Sequence, residues 1–237
     1  MNLKSHAIVL KSTKYTDSSL IIKLFTKESG LQSYIVSFGK KNNTKATFQG
    51  LNLIEIESYQ KGNNRLARIK TAKPHYHYCS ISTNIYKTTV IQFLQEILNN
   101  SIQEETANMD LYEFIEAHLQ YFDKNEKFNP NFHIYFLIKL TKYLGFYPQG
   151  SYKTGFQFNI IEGNYGYSTT ASKYLDLRLS ELLHLFTEST VTSNQEIKLN
   201  GSDRRELLDG LVIYFQYHLD GFKEIKSIAV LETLFSD

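Results

Sequence analysis

The sequence predicts an α+β protein, in which a small module of five β-strands precedes an α-helical domain with a short irregular insert. The period of the apolar residues changes from two to about three and a half after residue 78. The charge changes at the same place: residues 1–78 carry 13 Lys and Arg against four acidic residues, a net charge of +9, so the remainder carries −7. We therefore predict two domains, 1–78 and 79–237, and expect the first of them to bind polyanions.

The basic module contains five short β-rich runs separated by turn-like segments. They are Ala7–Leu10, Leu20–Phe25, Leu31–Phe38, Leu51–Tyr59 and Leu66–Thr71. Five antiparallel strands of this size can close into a small barrel, and the OB-fold, which binds single-stranded nucleic acid, is the common five-stranded case. Strand count alone also allows an SH3-like barrel.

The second domain has the periodicity of helices. Apolar residues mark one helix over 85–98 and another over 111–122, for which Asn108 or Asp110 is the candidate cap. A third begins after Pro130 and ends at Gly145, and its apolar residues cover most of its circumference, which predicts a central position. Residues 150–168 predict an irregular insert with a short hairpin, and helices resume at 172–187, 203–219 and 227–235.

Composition excludes several classes of protein. The single cysteine, Cys79, cannot form an internal disulfide, and no apolar run predicts a signal peptide or a membrane span, so we expect a cytoplasmic protein. There is no Gly-rich phosphate loop, nucleophile elbow or zincin motif, so we expect neither an enzyme nor a cofactor. A nuclease is disfavoured because the four acidic residues of the basic module are scattered along it.

Residue types in the basic module point to DNA. A site for single strands of any sequence needs a cationic groove that follows the phosphates and aromatic rings on which bases stack. The candidate cations are Lys11, Lys14, Lys40, Lys41, Lys45, Arg65, Arg68, Lys70 and Lys73. Strand alternation predicts that Arg68 and Lys70 face one side and that Ile69 and Thr71 face the other. Tyr15, Tyr34, Phe38 and Phe48 are stacking candidates, although we expect most of them in the core.

The segment "PHYHYC" places His75, His77 and Cys79 on one face of an extended chain, where they could supply three metal ligands. No fourth ligand is indicated nearby. We therefore favour packing at a connector between domains and predict no metal site.

Three blocks of sequence together resemble the bacterial RecO family. The opening "SHAIVLKSTKYTDSSLIIKLFTKESGLQSYIVSFGKK" carries an "AIVL" strand, the pattern Tyr-x-(Asp/Glu)-x-Ser-Leu-Ile and a Gly-basic loop. The stretch "LIKLTKYLGFYPQ" is similar to the family's helix that ends in Leu-Gly-(Tyr/Phe)-x-Pro, and "LLDGLVIYFQYHLDGFKEIKSIAVLETL" is similar to its closing helix pair. The blocks span almost the whole chain in the family's order.

The resemblance implies an OB-fold, a helical C-terminal domain and no catalytic residues. It further implies a recombination mediator that binds single- and double-stranded DNA, anneals complementary strands and, with RecR, assists the loading of RecA onto DNA coated by single-strand-binding protein. Many members bind zinc through paired cysteines in the insert, but residues 150–168 contain no cysteine. We therefore predict that aromatic packing holds the insert, through Tyr152, Phe156, Phe158, Tyr165 and Tyr167.

Protein partners are the remaining expectation. The resemblance implies that the acidic C-terminal tail of single-strand-binding protein docks on the helical domain, and the candidate basic residues for it are Lys139, Lys142, Arg204 and Arg205. The alternative to DNA binding is an adaptor whose basic barrel docks on an acidic protein surface.

Overall fold

The structure is a computed structural model of the protein and describes residues 2–38, 44–60, 66–169 and 172–234. The chain divides into two compact units, Met1–Lys124 and Asn125–Asp237. We call them the barrel unit and the helical unit. The predicted domain boundary between residues 78 and 79 follows the last strand of the barrel and falls inside the barrel unit, because two helices belong to this unit as well.

The barrel unit begins with a closed barrel of five strands. They are β1 (Asn2–Thr16), β2 (Ser19–Thr26), β3 (Gly30–Ser37), β4 (Leu53–Tyr59) and β5 (Ala67–Pro74). Their order around the barrel is β1-β2-β3-β5-β4, closing on β1, and β3 pairs with β5 in parallel while the other pairs are antiparallel. The predicted five-stranded barrel is confirmed, and its strand order is consistent with an OB-fold.

Strand β1 is much longer than its apolar run predicted. Backbone pairing with β2 extends it through polar residues to Thr16, since a ladder of hydrogen bonds needs no apolar side chains. Register shifts near Leu10 and Tyr15 interrupt the pairing. Residues 11–18 are all exposed. We call residues 11–21 of this β1–β2 hairpin the hairpin arm.

A short 3₁₀ helix, Thr44–Phe48, closes one end of the barrel core. The buried Phe48 ring lies in the core cluster with Tyr34 and Ile54, and its centroid is 6.4 Å from that of Phe38. The Ser12 hydroxyl donates to the Phe48 carbonyl at 2.5 Å. The hairpin arm is therefore tied to the 3₁₀ helix.

Two helices, α1 (Ile85–Ser101) and α2 (Met109–Lys124), complete the barrel unit. The Asn84 side chain caps α1, and the Asn108 side chain accepts from Leu111 N at 3.0 Å, so Asn108 is the cap of α2. Backbone and side-chain hydrogen bonds tie these helices to the barrel, such as the one from Gln95 Nε2 to Leu10 O at 2.9 Å.

A buried network around Asp123 holds the connector between β5 and α1. The Asp123 carboxylate accepts from the backbone N–H groups of Cys79, Ser80 and Ile81 and from the Tyr76 hydroxyl. The buried Lys87 ammonium donates to Ser80 Oγ at 2.6 Å and to the Phe122 carbonyl at 2.8 Å. These bonds fix the chain that leaves the barrel.

Of the connector histidines, His75 packs against the barrel, whereas His77 is exposed. The rings of His75 and His6 stack with centroids 4.1 Å apart, and His75 Nε2 lies 3.4 Å from Glu116 Oε1. Within the described part of the chain, no group of three His, Cys, Asp or Glu side chains is placed to hold a metal ion.

The helical unit contains α3 (Phe132–Tyr143), α4 (Leu177–Glu188), α5 (Gly201–His218) and α6 (Ile228–Leu234). Residues 132–138 of α3 are all buried, which confirms its central position. Helix α4 begins later than predicted, because the Asp176 side chain caps it by accepting from Leu179 N at 2.7 Å. No helix among the described residues is long and apolar enough to cross a membrane.

The insert carries a short hairpin, β6 (Gln157–Asn159) and β7 (Asn164–Gly166), held by aromatic rings. The Phe158 ring contacts those of Tyr165 and Tyr214 at 5.1 and 5.2 Å, and Tyr152 stacks on His184 at 4.8 Å. The prediction of aromatic packing is confirmed. These side chains do not fit a site of four thiolates, because none of them is a cysteine.

Candidate nucleic-acid interface

The barrel unit keeps a positive charge even with its two helices included. Residues 1–124 carry 15 Lys and Arg against 11 acidic residues, a net charge of +4, whereas residues 125–237 carry 11 against 13, a net charge of −2. Of the nine predicted DNA-binding residues, Lys40, Lys41 and Arg65 lie outside the described residues. The other six fall into two groups on the barrel.

The first group lies at the end of the barrel that carries the β1–β2 turn. The backbone N–H of Phe38, after the end of β3, donates to Ser18 O at 2.7 Å, so β3 and the hairpin arm end together. The 3₁₀ helix that carries Lys45 is tied to the same arm through Ser12. This end therefore carries three exposed lysines, Lys11 and Lys14 on the hairpin arm and Lys45 on the 3₁₀ helix tied to it.

The electrostatic surroundings of these three lysines favour an anion. No carboxylate of the described residues lies within ion-pair distance of Lys11 or Lys45. Lys14 Nζ lies 2.7 Å from Asp17 Oδ1, but both side chains are strongly exposed and water screens the pair. A polyanion that approaches this end encounters a net positive charge, because Lys11 and Lys45 have no carboxylate of the described residues within ion-pair distance.

The second group, Arg68, Lys70 and Lys73, lies on β5, and its two lysines are paired with acidic residues of β4. Lys73 Nζ is 3.1 Å from Glu55 Oε2, and Lys70 Nζ is 3.2 Å from Glu57 Oε1. The hydrogen bond from Lys73 lowers the pKa of Glu55, against the opposing effect of burial. Glu55 and Glu57 were not among the predicted site residues, although their alternation along β4 was visible in the sequence.

The predicted alternation along β5 is wrong beyond Ile69. Ser58 pairs with Ile69 and Glu57 pairs with Thr71, so Lys70 is an extra residue in a β-bulge. The bulge restarts the alternation, and Thr71 shares a face with Glu57 rather than with the buried Ile69. Arg68 is half-buried and is paired with Tyr59 on β4 and Ile35 on β3.

The four stacking candidates separate clearly in the structure. Tyr34 and Phe48 are buried in the barrel core, and Phe38 is half-buried against Phe48, so the expectation that most would be core residues is confirmed. Tyr15 is 61% exposed and lies beside Lys14 at the register shift of the hairpin arm. Its ring is available to a base next to a cation.

The four predicted partner-binding residues lie on two parts of the helical unit. Arg204 and Arg205 line a small pocket together with His133, Gly201, Leu208, Leu231 and Glu232. Burial lowers the pKa of Arg204, whose Nη2 donates to Leu199 O at 3.3 Å. Arg205 is exposed on the pocket rim.

Lys139 and Lys142 on α3 are not among the residues that line this pocket. Lys139 Nζ donates to Thr187 O at 2.7 Å and lies over the ring of Tyr147, and burial lowers its pKa. Lys142 is exposed. The apolar pocket wall formed by Leu208 and Leu231 was not predicted, because it joins residues far apart in sequence.

Comparisons with known proteins agree with this architecture. The family model described as "Recombination protein O N terminal" matches residues 1–78, and "Recombination protein O C terminal" matches residues 82–227. Proteins named DNA repair protein RecO from Flavobacterium psychrophilum and Flavobacterium johnsoniae are 38% and 37% identical, over the full length of both chains. That from Christiangramia forsetii is 33% identical over 99% of this chain. The chain therefore belongs to the RecO family of DNA repair proteins.

Proposed function

We propose that this protein is a recombination mediator without catalytic turnover, which acts in the cytoplasm. It binds single- and double-stranded DNA and anneals complementary strands. With RecR, it assists the loading of RecA onto DNA coated by single-strand-binding protein. Family membership supports the class of function, and the barrel supports the mode of binding.

The observation that carries the proposal is that one end of the barrel carries the exposed side chains of Lys11, Lys14, Lys45 and Tyr15. Lysines attract phosphates whatever the sequence, and an exposed phenol ring offers a stacking surface to any base. The segment that contains Lys40 and Lys41 is joined to this end at Phe38 and Thr44. A DNA strand that follows these cations is bound without recognition of its base sequence.

Annealing follows from the same charges. Two complementary strands repel each other through their phosphates, and bound lysines screen this repulsion while they leave the Watson–Crick edges of bases available. Such a role requires neither a nucleotide cofactor nor an acid–base pair.

We further propose that the acidic tail of single-strand-binding protein docks on the helical unit at the pocket lined by Arg204 and Arg205. The pocket combines the apolar side chains of Leu208 and Leu231 with two cations, of which Arg205 lies 4.0 Å from the carboxylate of Glu232. This combination suits a peptide that carries both carboxylates and an apolar anchor.

Titration of a single-stranded oligonucleotide at several salt concentrations tests the DNA proposal. We expect the variant Lys11→Ala, Lys14→Ala, Lys45→Ala to bind more weakly to every sequence, with a salt slope flattened by roughly 0.7 for each phosphate that the variant no longer neutralises. The control variant Lys127→Ala, Lys198→Ala, Lys223→Ala removes three exposed lysines of the helical unit and should bind as the parent does.

Equal affinity and equal slope in the parent and the barrel variant would overturn the DNA proposal. If the barrel variant instead lost only the binding of an acidic protein, the adaptor alternative would be correct.

A further inference from the structure

An aromatic ladder runs along the hairpin of the insert. Phe158 on β6 pairs with Tyr165 on β7, and their ring centroids are 5.1 Å apart. Two residues before Phe158 and two after Tyr165, just outside the strands, Phe156 and Tyr167 form a second ring pair whose centroids are 4.9 Å apart. Because side chains alternate with a period of two, the second pair continues the ladder beyond the ends of the strands.

The two rungs of the ladder have different surroundings. The inner rung, formed by Phe158 and Tyr165, is covered, since Phe158 contacts Tyr214 and Tyr165 contacts Tyr152. The outer rung, formed by Phe156 and Tyr167, is open, because the Tyr167 side chain is 76% exposed. This is the largest exposed fraction among the large apolar and aromatic side chains of the described residues. An edge contact at an interplanar angle of 67° covers only part of its ring.

A cation accompanies the outer rung. Lys153 Nζ lies over the Phe156 ring, 5.8 Å from its centroid, and the Lys153 carbonyl accepts from Phe156 N at 2.9 Å in the preceding turn. Residues 149–161 contain no acidic residue, and Glu162 lies in the turn at the other end of the hairpin. Within a unit of net charge −2, the open end of the insert thus offers an aromatic ring and an ammonium group.

We propose that Tyr167, with Phe156 and Lys153, forms a second contact for single-stranded nucleic acid, in which an unpaired base stacks on the Tyr167 ring and Lys153 contacts a neighbouring phosphate. This inference rests on the proposed DNA binding and adds a site on the helical unit. Stacking needs an exposed base face, so the site discriminates single strands from duplexes. An aromatic ring beside a cation is the combination that sequence-independent single-strand sites use.

The absence of tryptophan from the sequence permits a direct test in the intact chain. In the variant Tyr167→Trp, the introduced indole is the sole tryptophan, and a stacked base should quench its fluorescence. We expect an oligothymidylate to quench it saturably, and an abasic oligomer of the same length, which keeps the phosphates, to leave it unquenched.

Two other tryptophan variants act as reporters for comparison. Tyr15→Trp reports on the barrel site, and Val230→Trp places an exposed indole on α6 of the helical unit, away from the insert sequence. We expect quenching in the first and none in the second. Quenching of Tyr15→Trp without quenching of Tyr167→Trp would overturn the insert site alone, whereas loss of all oligonucleotide binding would overturn the proposed function.

Affinity supplies an independent measurement. Tyr167→Ala should weaken oligothymidylate binding by about fivefold or more. Tyr167→Phe, which keeps the ring, should bind the oligothymidylate as tightly as the parent does. Neither change should affect the binding of a duplex. The exposed position of Tyr167 should leave the melting temperature unchanged. If the acidic tail peptide quenched Tyr167→Trp and the oligonucleotide did not, the surface would be a peptide site and the proposal would be wrong.

Discussion

Lys73 Nζ lies 3.1 Å from Glu55 Oε2, and these two residues are cross-strand partners on β5 and β4. The next carboxylate along β4, that of Glu57, pairs with Lys70. This face of the barrel therefore carries alternating charges, in contrast to the end where Lys11 and Lys45 lie. A phosphate that approaches Lys70 or Lys73 has to compete with a carboxylate.

Removal of the two carboxylates should strengthen DNA binding. We expect the variant Glu55→Gln, Glu57→Gln to bind a single-stranded oligonucleotide severalfold more tightly. The salt slope should steepen by roughly 0.7 for each additional phosphate that the released lysines neutralise. The lysines of both ion pairs are exposed and the carboxylates are half-buried, and such solvent-screened pairs contribute little to stability, so the thermal midpoint should change only slightly. Fluorescence anisotropy over a salt series measures both the affinity and the slope.

The variant Glu104→Gln, Glu105→Gln provides the control for net charge. It removes two exposed carboxylates from the same unit, in the α1–α2 connection, where Leu31 N donates to Glu104 O at the β2–β3 end of the barrel. If both double variants bound more tightly by the same factor, the effect would be long-range attraction, and the β4–β5 face would not touch DNA.

Lys40 and Lys41, which lie outside the described residues, give a second prediction together with Lys45 of the 3₁₀ helix. The variant Lys40→Ala, Lys41→Ala, Lys45→Ala should weaken binding to all sequences and flatten the single-strand salt slope by up to about 2. Annealing of complementary oligonucleotides should slow in parallel. Unchanged affinity together with an unchanged slope would show that these lysines only contact water.

The barrel and the helices were predictable because their signals are local. Alternation predicted the β-rich runs, the apolar circumference of α3 predicted its burial, and Asn108 was a visible cap for α2. Along β5, where the structure differs from the predicted alternation, the cause is a contact between distant segments. The bulge at Lys70 exists only in the pairing of β5 with β4, and alternation within one strand could not reveal it.

The residue types of the candidate site could be predicted from the sequence, but the contacts between its side chains could not. The sequence identified the cationic residues, but not that Lys14, Lys70 and Lys73 are each paired with a carboxylate while Lys11 is not. The buried network of Asp123 and Lys87 went unpredicted, because each residue looked like an ordinary charge on a helix. The role of this network is apparent only in the folded structure, where it holds the connector between β5 and α1.

Asp123 should be among the most sensitive positions of the barrel unit. Burial opposes its charge, but hydrogen bonds from Cys79 N, Ser80 N and Ile81 N outweigh this effect and lower its pKa. Asp123→Ala leaves these three N–H donors without their acceptor and removes the negative charge near the buried Lys87 ammonium, so it should cost at least about 3 kcal/mol of unfolding free energy. Urea denaturation of the intact chain measures this destabilisation.

The exposed Asp110 in the first turn of α2 is the comparison for Asp123. Asp110→Ala should cost only about 0.3–1 kcal/mol, through the helix dipole. Because the pKa of Asp123 is depressed, its stabilisation is complete above its unfolded value near 3.8 and is lost as the pH falls further. Equal costs for the two variants would contradict the proposed role of the network.

His133 predicts a second pH dependence of the unfolding free energy, at higher pH than that of Asp123. It is fully buried, and burial, with a smaller contribution from the Arg204 charge, lowers its pKa from 6.5 to about 3. Between these values the unfolded chain binds a proton that the folded chain excludes, so stability falls as the pH decreases, by about 1 kcal/mol per pH unit.

Denaturation between pH 6.5 and pH 5 separates His133 from the carboxylates, which titrate mostly below this range. His133→Gln removes the titrating group, so its unfolding free energy should fall less steeply over this interval than that of the parent, whatever its stability at pH 7. Parallel curves for the two proteins would show that His133 does not contribute.

The insert yields the last prediction, which separates aromatic packing from metal binding. Phe158 is buried against Tyr165 and Tyr214, and its N–H donates to Ser180 Oγ at 2.8 Å. Phe158→Ala should cost about 3–5 kcal/mol, whereas Phe156→Ala, on the open rung, should cost far less. A strong chelator should leave the thermal midpoint of the parent unchanged, because no cysteine is present in residues 150–168 to bind zinc.

Elemental analysis of the purified chain completes this comparison. About one zinc per chain, together with a midpoint that falls in chelator, would show that ligands outside the insert bind a metal. A small cost for Phe158→Ala would show that the hairpin is held by its backbone pairing and by the Ser180 bond. The expected pattern is a large destabilisation in Phe158→Ala and no response to chelator, since buried ring contacts stabilise this insert.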